Sequence, residues 1–252
     1  MDGVVPGHSD LTDVPPNRMK PRNGCSKGLI VAVAVLLLGG NGGAERPAHA
    51  RVVRTPVVLV HGYGDSGKSF AFFASKLSER GFECFAPDLQ PADAGAGIED
   101  VARKLKTEIA RRYGADSPVA IVAFSMGGIV ARYYLQKLGG AARCRAFFTV
   151  SSPHHGTLAA YLADGRGAVQ MRPGSSFLRG LNADVSGYRR LEPVSYWTPL
   201  DLMIFPAASS IWRAAENVMV WELCHPRMLG SSGVIVDIIR RLDRAACTGA
   251  DG

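Results

Sequence analysis

Apolar residues in this chain fall into two kinds of run that take turns along it. Short, mainly apolar runs recur at Thr55–Val60, Phe82–Pro87, Val119–Phe124, Arg145–Val150, Val194–Leu200 and Asn217–Leu223, the Val119 run being continuous and rich in β-branched residues. Such runs predict strands buried on both faces of a parallel sheet. Between them the apolar positions take helical spacing. One such stretch runs from about Lys68 to Arg80 and is closed by Gly81; another, Ile98 to Tyr113, has Ile98, Val101, Leu105 and Ile109 on one face. Ile129, Val130, Tyr133, Tyr134 and Leu138 form a third that stops at Gly139-Gly140, and Val234 to Leu242 a fourth. Residues 157–191 carry only weak helical patterning broken by glycines. Strands alternating with helices predict one α/β domain with a doubly wound, mostly parallel sheet and its ligand site at the strands' C-terminal ends. The loops bearing Gly62, Ser125, Asp201 and His225 all fall at that end.

The first fifty residues follow a different pattern. Arg18, Lys20, Arg22 and Lys27 precede an apolar core from Leu29 to Leu38, and a polar, glycine-rich stretch then leads to Ala48-His49-Ala50. A positive segment, a short apolar segment and an Ala-X-Ala site predict a secretory signal over 1–50, cleaved after Ala50, with the catalytic domain over 51–252. The apolar run is too short for an ordinary membrane-spanning helix, so a retained anchor is the less favoured reading. Met19 gives a more usual signal length than Met1. The expected location is outside the cytoplasm, extracellular or periplasmic.

Composition changes this picture little. From Arg51 onward the chain keeps 24 Lys+Arg against 18 Asp+Glu, but these charges are scattered singly or in pairs, which is a solvated surface and not a nucleic-acid face. Cys84, Cys144, Cys224 and Cys247 follow the signal, and an even number in an exported chain permits disulfides. Cys84, Cys144 and Cys247 are expected at the bottom of the sheet and Cys224 at the top, where the others are hard to reach; a Cys144–Cys247 bridge is feasible, and the sequence leaves the pairing of the four open. No Cys-X-X-Cys or His-X-X-X-His spacing suggests a metal site, and no cofactor is implied.

The informative stretch is Val119 to Leu138, where a buried strand becomes a helix across Ser125-Met126-Gly127-Gly128. So abrupt a turn strains the residue at its apex and presents the Ser125 hydroxyl above the sheet at a helix N-terminus, the arrangement of a nucleophile elbow. Ala123 stands where such elbows usually carry their first glycine. A competing pattern lies upstream. Gly62-Tyr-Gly-Asp-Ser-Gly67-Lys68-Ser69 fits the phosphate-binding loop of nucleotide hydrolases. An exported chain meets little nucleotide, and Val234-Ile-Val-Asp237, the nearest candidate for the magnesium-binding aspartate that chemistry needs at the end of a buried strand, sits in a helical pattern. His61-Gly62 after the first strand also serves another purpose, since it puts the Tyr63 N–H where an oxyanion requires a donor. No nucleotide is expected.

A serine hydroxyl needs a histidine to take its proton and a carboxylate to orient that histidine. Where such elbows sit on a parallel α/β sheet the order along the chain is Ser, acid, His. Only His225 lies beyond a plausible acid after Ser125, and Asp201, directly after the strand Val194–Leu200, is that acid; Asp164 and Asp184 sit in the irregular segment. His154 and His155 are read as shaping their loop. Phe70, Phe72, Phe73, Phe177 and Trp212 are read either as the wall of an acyl site or as core.

Taken together, Val-His-Gly-Tyr-Gly, Ala-Phe-Ser-Met-Gly-Gly, Ser-Pro-His-His-Gly-Thr, Asp-Leu-Met-Ile-Phe-Pro and the late His225 resemble secreted bacterial triacylglycerol lipases of the α/β-hydrolase superfamily. The likeness runs over about residues 55–242 and is greatest to the small lipases whose elbow begins with alanine. It implies the α/β-hydrolase fold, with Ser125 as nucleophile, Asp201 as acid, His225 as base, and the backbone N–H groups of Tyr63 and Met126 as oxyanion hole. It implies lipid or small-ester substrates, met at a lipid–water interface. The segment from Gly156 to about Arg190 is longer than in the smallest of those lipases, so the resemblance does not imply a lidless site, and the sequence does not show whether it or Leu89–Gly97 acts as a lid. An acyltransferase or thioesterase would use the same residues, and a non-catalytic binding protein of the same fold is the third reading.

Overall fold

The computed structural model describes residues 54–184 and 191–248, with the side chains of 246–248 left aside, so the predicted signal over 1–50 lies outside the described residues. Six strands form one sheet: β1 (Val57–Val60), β2 (Cys84–Phe85), β3 (Val119–Phe124), β4 (Cys144–Val150), β5 (Val194–Trp197) and β6 (Glu216–Met219). Their order is β2-β1-β3-β4-β5-β6 and every neighbouring pair is parallel. This is the predicted doubly wound parallel sheet.

Alternation along β1 explains why both faces of the sheet are apolar. Val58 and Val60 face one core and Val57 and Leu59 the other. Helices α2 (Ile98–Tyr113) and α3 (Met126–Lys137) cover the first, and α1 (Ala71–Ser78) and α6 (Ser232–Thr248) the second. Two further short helices, α4 (Arg166–Met171) and α5 (Ser176–Ala183), arise in the stretch of weak periodicity. Among the described residues no helix is long and apolar enough to cross a membrane.

Several strand limits depart from the sequence reading: β1 begins at Val57 and not Thr55, and the edge strand β2 keeps only Cys84–Phe85 of the expected Phe82–Pro87. β5 ends at Trp197, three residues short of the expected Leu200, because the Thr198 hydroxyl turns away to the Glu222 carbonyl at 2.8 Å. β6 covers Glu216–Met219 and not 217–223; it is the outer strand, and Trp221 and Leu223 beyond it are exposed. Cys84, Cys144 and Cys224 are free thiols, so the Cys144–Cys247 bridge is not formed. Cys144 is fully inside the core, where burial pushes its thiol up to about 12.

Candidate active site

β3 is buried along its whole length and ends on Ser125, whose backbone takes φ 54° and ψ −129°. A positive φ in a side-chain-bearing residue costs on the order of 1–3 kcal/mol and persists only where its surroundings impose it. Here the Ser125 N–H donates to the Val150 carbonyl at 2.9 Å, and its own carbonyl accepts from Gly128 at 3.0 Å. α3 also lies hard against the end of β1. A Cβ at Gly127 would stand 2.6 Å from the His61 carbonyl oxygen and nearer still to that of Val60, so no larger residue fits. The expected elbow is present, and Ala123 is accommodated inside the strand that leads to it.

The His61-Gly62-Tyr63 turn passes directly over the serine. A Cβ on Gly62 would be 2.9 Å from Ser125 Cβ and 3.4 Å from its Oγ. The buried His61 ring fixes this turn. Its Nε2 accepts from the Leu89 N–H at 2.9 Å, which leaves the ring proton on Nδ1 facing the Gly62 carbonyl at 3.0 Å. Gly64 N–H then donates to the Ala92 carbonyl at 3.1 Å, so the 89–97 loop braces the turn.

Asp201 and His225 meet at the far side of the elbow. His225 Nδ1 lies 2.8 Å from Asp201 Oδ2, with both residues buried. Asp201 Oδ1 accepts from the N–H groups of Met203 at 3.0 Å and Ile204 at 2.9 Å. Burial alone would raise the Asp201 carboxyl. The hydrogen bond and charge of His225, the Ile204 amide and the Ser151 hydroxyl outweigh it and hold the carboxyl below its ordinary range. The Phe124 ring, immediately before Ser125, lies against the imidazole at 4.6 Å between centroids, which keeps His225 beside the elbow. Thr198 ties the acid loop to the base loop through Glu222.

Ser125, Met126 and Tyr63 open into one cavity of about 320 Å³. Leu202, Met203 and Ile204 of the acid loop close one side of it, and Ala159, Ala160, Ala163, Ala168 and Met171 of the 157–171 segment another. The aromatic residues considered as an acyl wall are elsewhere. Phe70 and Phe73 are core beneath α1, Phe72 faces solvent, Phe177 stacks on Tyr133, and Trp212 stacks on His154. These bulky rings fill space that the fold needs filled, and the cavity is lined instead by alanines and by Leu, Met and Ile side chains.

His154 is buried, with Thr149 Oγ1 3.1 Å from Nε2 and an Arg132 guanidinium nitrogen 3.3 Å from Nδ1. Burial, then the charges of Arg132 and His155, drive it well below its ordinary value, so it stays neutral and shapes its loop as expected. In the loop that fits the nucleotide pattern, Gly67 N–H donates to Asp88 Oδ1 at 2.7 Å and Ser66 N–H to Asp65 Oδ1 at 2.8 Å. Carboxylate oxygens of the protein therefore occupy amides that a phosphate would need.

Thr157 has a role the sequence reading missed. Its hydroxyl donates to the Met203 carbonyl at 2.7 Å and accepts from the N–H groups of Phe205 at 3.0 Å and Ala159 at 3.2 Å. It joins the 157–171 segment to the acid loop. A threonine just after a glycine, ahead of helical patterning, was the available signal.

A sequence-family model described as the alpha/beta hydrolase fold matches residues 55–167. Comparison with curated proteins gave no match. Lipase B of Aspergillus fumigatus is similar in structure, with a TM-score of 0.66 and 19% identity, over 75% of this chain and 52% of that one, so this chain spans about half its length. Bacillus licheniformis lipase BlEst2 in mature form gives 0.61 and 18%, over 79% of this chain and 94% of that one. A pyrethroid hydrolase from Sphingobium faniae gives 0.51 and 15%, over 75% and 97%. At these identities the likeness is one of fold, and the fold is that of the α/β-hydrolases.

Proposed function

We propose that this protein is an exported serine hydrolase that cleaves carboxylic esters of lipids. One observation carries the reading: a strained Ser125 at a strand–helix elbow, covered by the Gly62–Tyr63 backbone and opening into an apolar cavity. The buried Asp201–His225 pair beside it supplies the partner chemistry. Asp201 accepts the Nδ1 proton of His225, which leaves Nε2 as the basic nitrogen. His225 takes the Ser125 proton as Oγ attacks the ester carbonyl. The oxyanion that forms is met by the Tyr63 and Met126 N–H groups, the second reinforced by the positive end of α3. His225 then protonates the leaving alcohol, and water enters by the same route to release the acid.

Lipid-type substrates are favoured by the mouth of the cavity. Leu162 is 91% and Leu202 81% exposed, and Leu158, Tyr161, Met203 and Phe205 stand half-exposed in the same two segments. Exposed apolar side chains gathered in the two segments that line the cavity favour an apolar partner such as a lipid. Export is supported by the charged, apolar and Ala-X-Ala pattern of residues 1–50.

The test compares the protein with its Ser125→Ala variant on p-nitrophenyl butyrate and on tributyrin carried from solution into emulsion. Hydrolysis lost in the variant, with a rise in wild-type rate on emulsion, is the expected result. Equal activity in both proteins, or none in either, would remove Ser125 from the chemistry and put the binding-protein reading first.

A further inference from the structure

The cavity over Ser125 is closed on one side and open on the other. Ala160, Ala168 and Met171 are buried where they meet it, whereas Leu162 and Leu202 stand almost wholly in solvent. A chain that enters from the open side therefore ends against α4. That helix is fastened from behind. The Ile98 N–H at the start of α2 donates to Gln170 Oε1 at 2.7 Å, Gln170 Nε2 donates to Glu99 at 2.7 Å, and Arg166 pairs with Glu99 at 2.8 Å. The Gly167 N–H donates to the Ala94 carbonyl at 3.0 Å, and a Cβ on Gly167 would lie 2.5 Å from that of Ala94. α4 has no room to recede.

The cavity over Ser125, its mouth included, measures about 320 Å³, at the small end of the roughly 300–1,000 Å³ usual for ligand pockets. We infer that this cavity is the acyl site, that α4 is its floor, and that Ala168 and Met171 limit the length of chain it takes, making medium-chain acyl esters the preferred substrates. A palmitoyl chain would have to leave through the open side and forgo the buried wall. The inference rests on the ester-hydrolase reading above.

The test measures kcat/KM on p-nitrophenyl acetate, octanoate and palmitate for the wild type, Ala168→Leu and Met171→Ala. Wild type is expected to favour octanoate over palmitate at least tenfold. Each methylene gained or lost in such a pocket changes discrimination by about tenfold or more. The octanoate-to-acetate ratio should therefore fall at least tenfold in Ala168→Leu, and the palmitate-to-octanoate ratio should rise at least fivefold in Met171→Ala. The opposite signs separate pocket shape from general damage, and Met171→Ala decides alone if Ala168→Leu does not fold. Palmitate turned over as well as octanoate by the wild type, or a Met171→Ala ratio within twofold of wild type, overturns the inference. Acetate hydrolysis that survives Ser125→Ala sinks the hydrolase reading itself and the acyl-site assignment with it; loss of that activity, with unchanged chain-length ratios, sinks only the acyl-site assignment.

Discussion

Replacing Asp201 by Asn tests the site most directly, because the structure dictates which way the new amide must turn. Asp201 Oδ1 accepts two backbone N–H groups, from Met203 and Ile204, while Oδ2 faces His225 Nδ1. An Asn can satisfy the two amides only with its own oxygen, since its NH₂ would point donors at donors. The NH₂ must then face His225, which has to present a lone pair at Nδ1 and so carries its proton on Nε2. In that tautomer it is no base for Ser125. The loss expected when such a carboxylate becomes an amide is about 10⁴-fold in kcat, or about 5 kcal/mol of barrier at 1.36 kcal/mol per decade. Stability should change far less. Two charge-assisted bonds become neutral ones, at about 1 kcal/mol each, and a melting point lower by about 4–8 °C follows for a domain of this size. The assay is kcat on p-nitrophenyl butyrate beside a thermal melt. A variant with more than a tenth of wild-type kcat would refute the reasoning and place the acid elsewhere.

Three further outcomes follow from contacts described above. Gly127→Ala should destabilise the fold by about 1–3 kcal/mol, because its Cβ meets the His61 and Val60 carbonyl oxygens; a melting point within 1 °C of wild type would contradict this. Thr157→Val strips a partner from the Met203 carbonyl and from the Phe205 and Ala159 N–H groups, which are part-buried, at about 0.5–1.5 kcal/mol for each bond lost. Thr157→Ser should restore kcat at least fivefold relative to Thr157→Val, and equal rates for the two would remove the hydroxyl from the account. Asp237 gives a pH dependence. Burial would raise its carboxyl, but Arg241, Tyr196 and Arg240 outweigh that and lower it. A carboxyl lowered by folding stabilises fully above its unfolded value of about 3.9, and that contribution is lost as pH falls through the folded value. The stability gap between wild type and Asp237→Asn in urea should thus be full at pH 6–7 and shrink below pH 4. A gap that stays constant to pH 3 would count against the pairing.

The elbow was legible because two strong periodicities meet at it. A six-residue buried strand and a helix that starts one residue later leave Ser125 no other place. α2 was legible for the same reason, and its bounds, Ile98–Tyr113, are those the apolar spacing predicts. The order of Ser125, Asp201 and His225 along the chain then singled out two residues that the fold brings to 2.8 Å. What failed to show was anything decided by distant partners. α4 has six residues and a glycine before it, and Gln170 bonded to Ile98, 72 positions away, holds it in place. The strand limits at Trp197 and Met219 are set by the Thr198 side chain and by the bareness of the outer strand, neither of which leaves a periodic trace. The cavity wall was sought among phenylalanines because bulk suggests binding. Packing needed those rings, and the wall fell to alanines whose pattern is silent.

That alanine wall constrains how the protein can drift. Of the residues between 158 and 171 that face the cavity, Ala159, Ala160, Ala163 and Ala168 can be exchanged for something larger but have almost nothing to give up. An alanine codon is one base from valine, so mutation reaches a narrower cavity in single steps. A deeper cavity is open at the floor only through Met171, or through α4 itself, which Gln170 and Gly167 hold to the body of the domain. Random substitution in this segment is therefore a ratchet, moving the space above Ser125 easily toward smaller occupants and with difficulty toward larger ones.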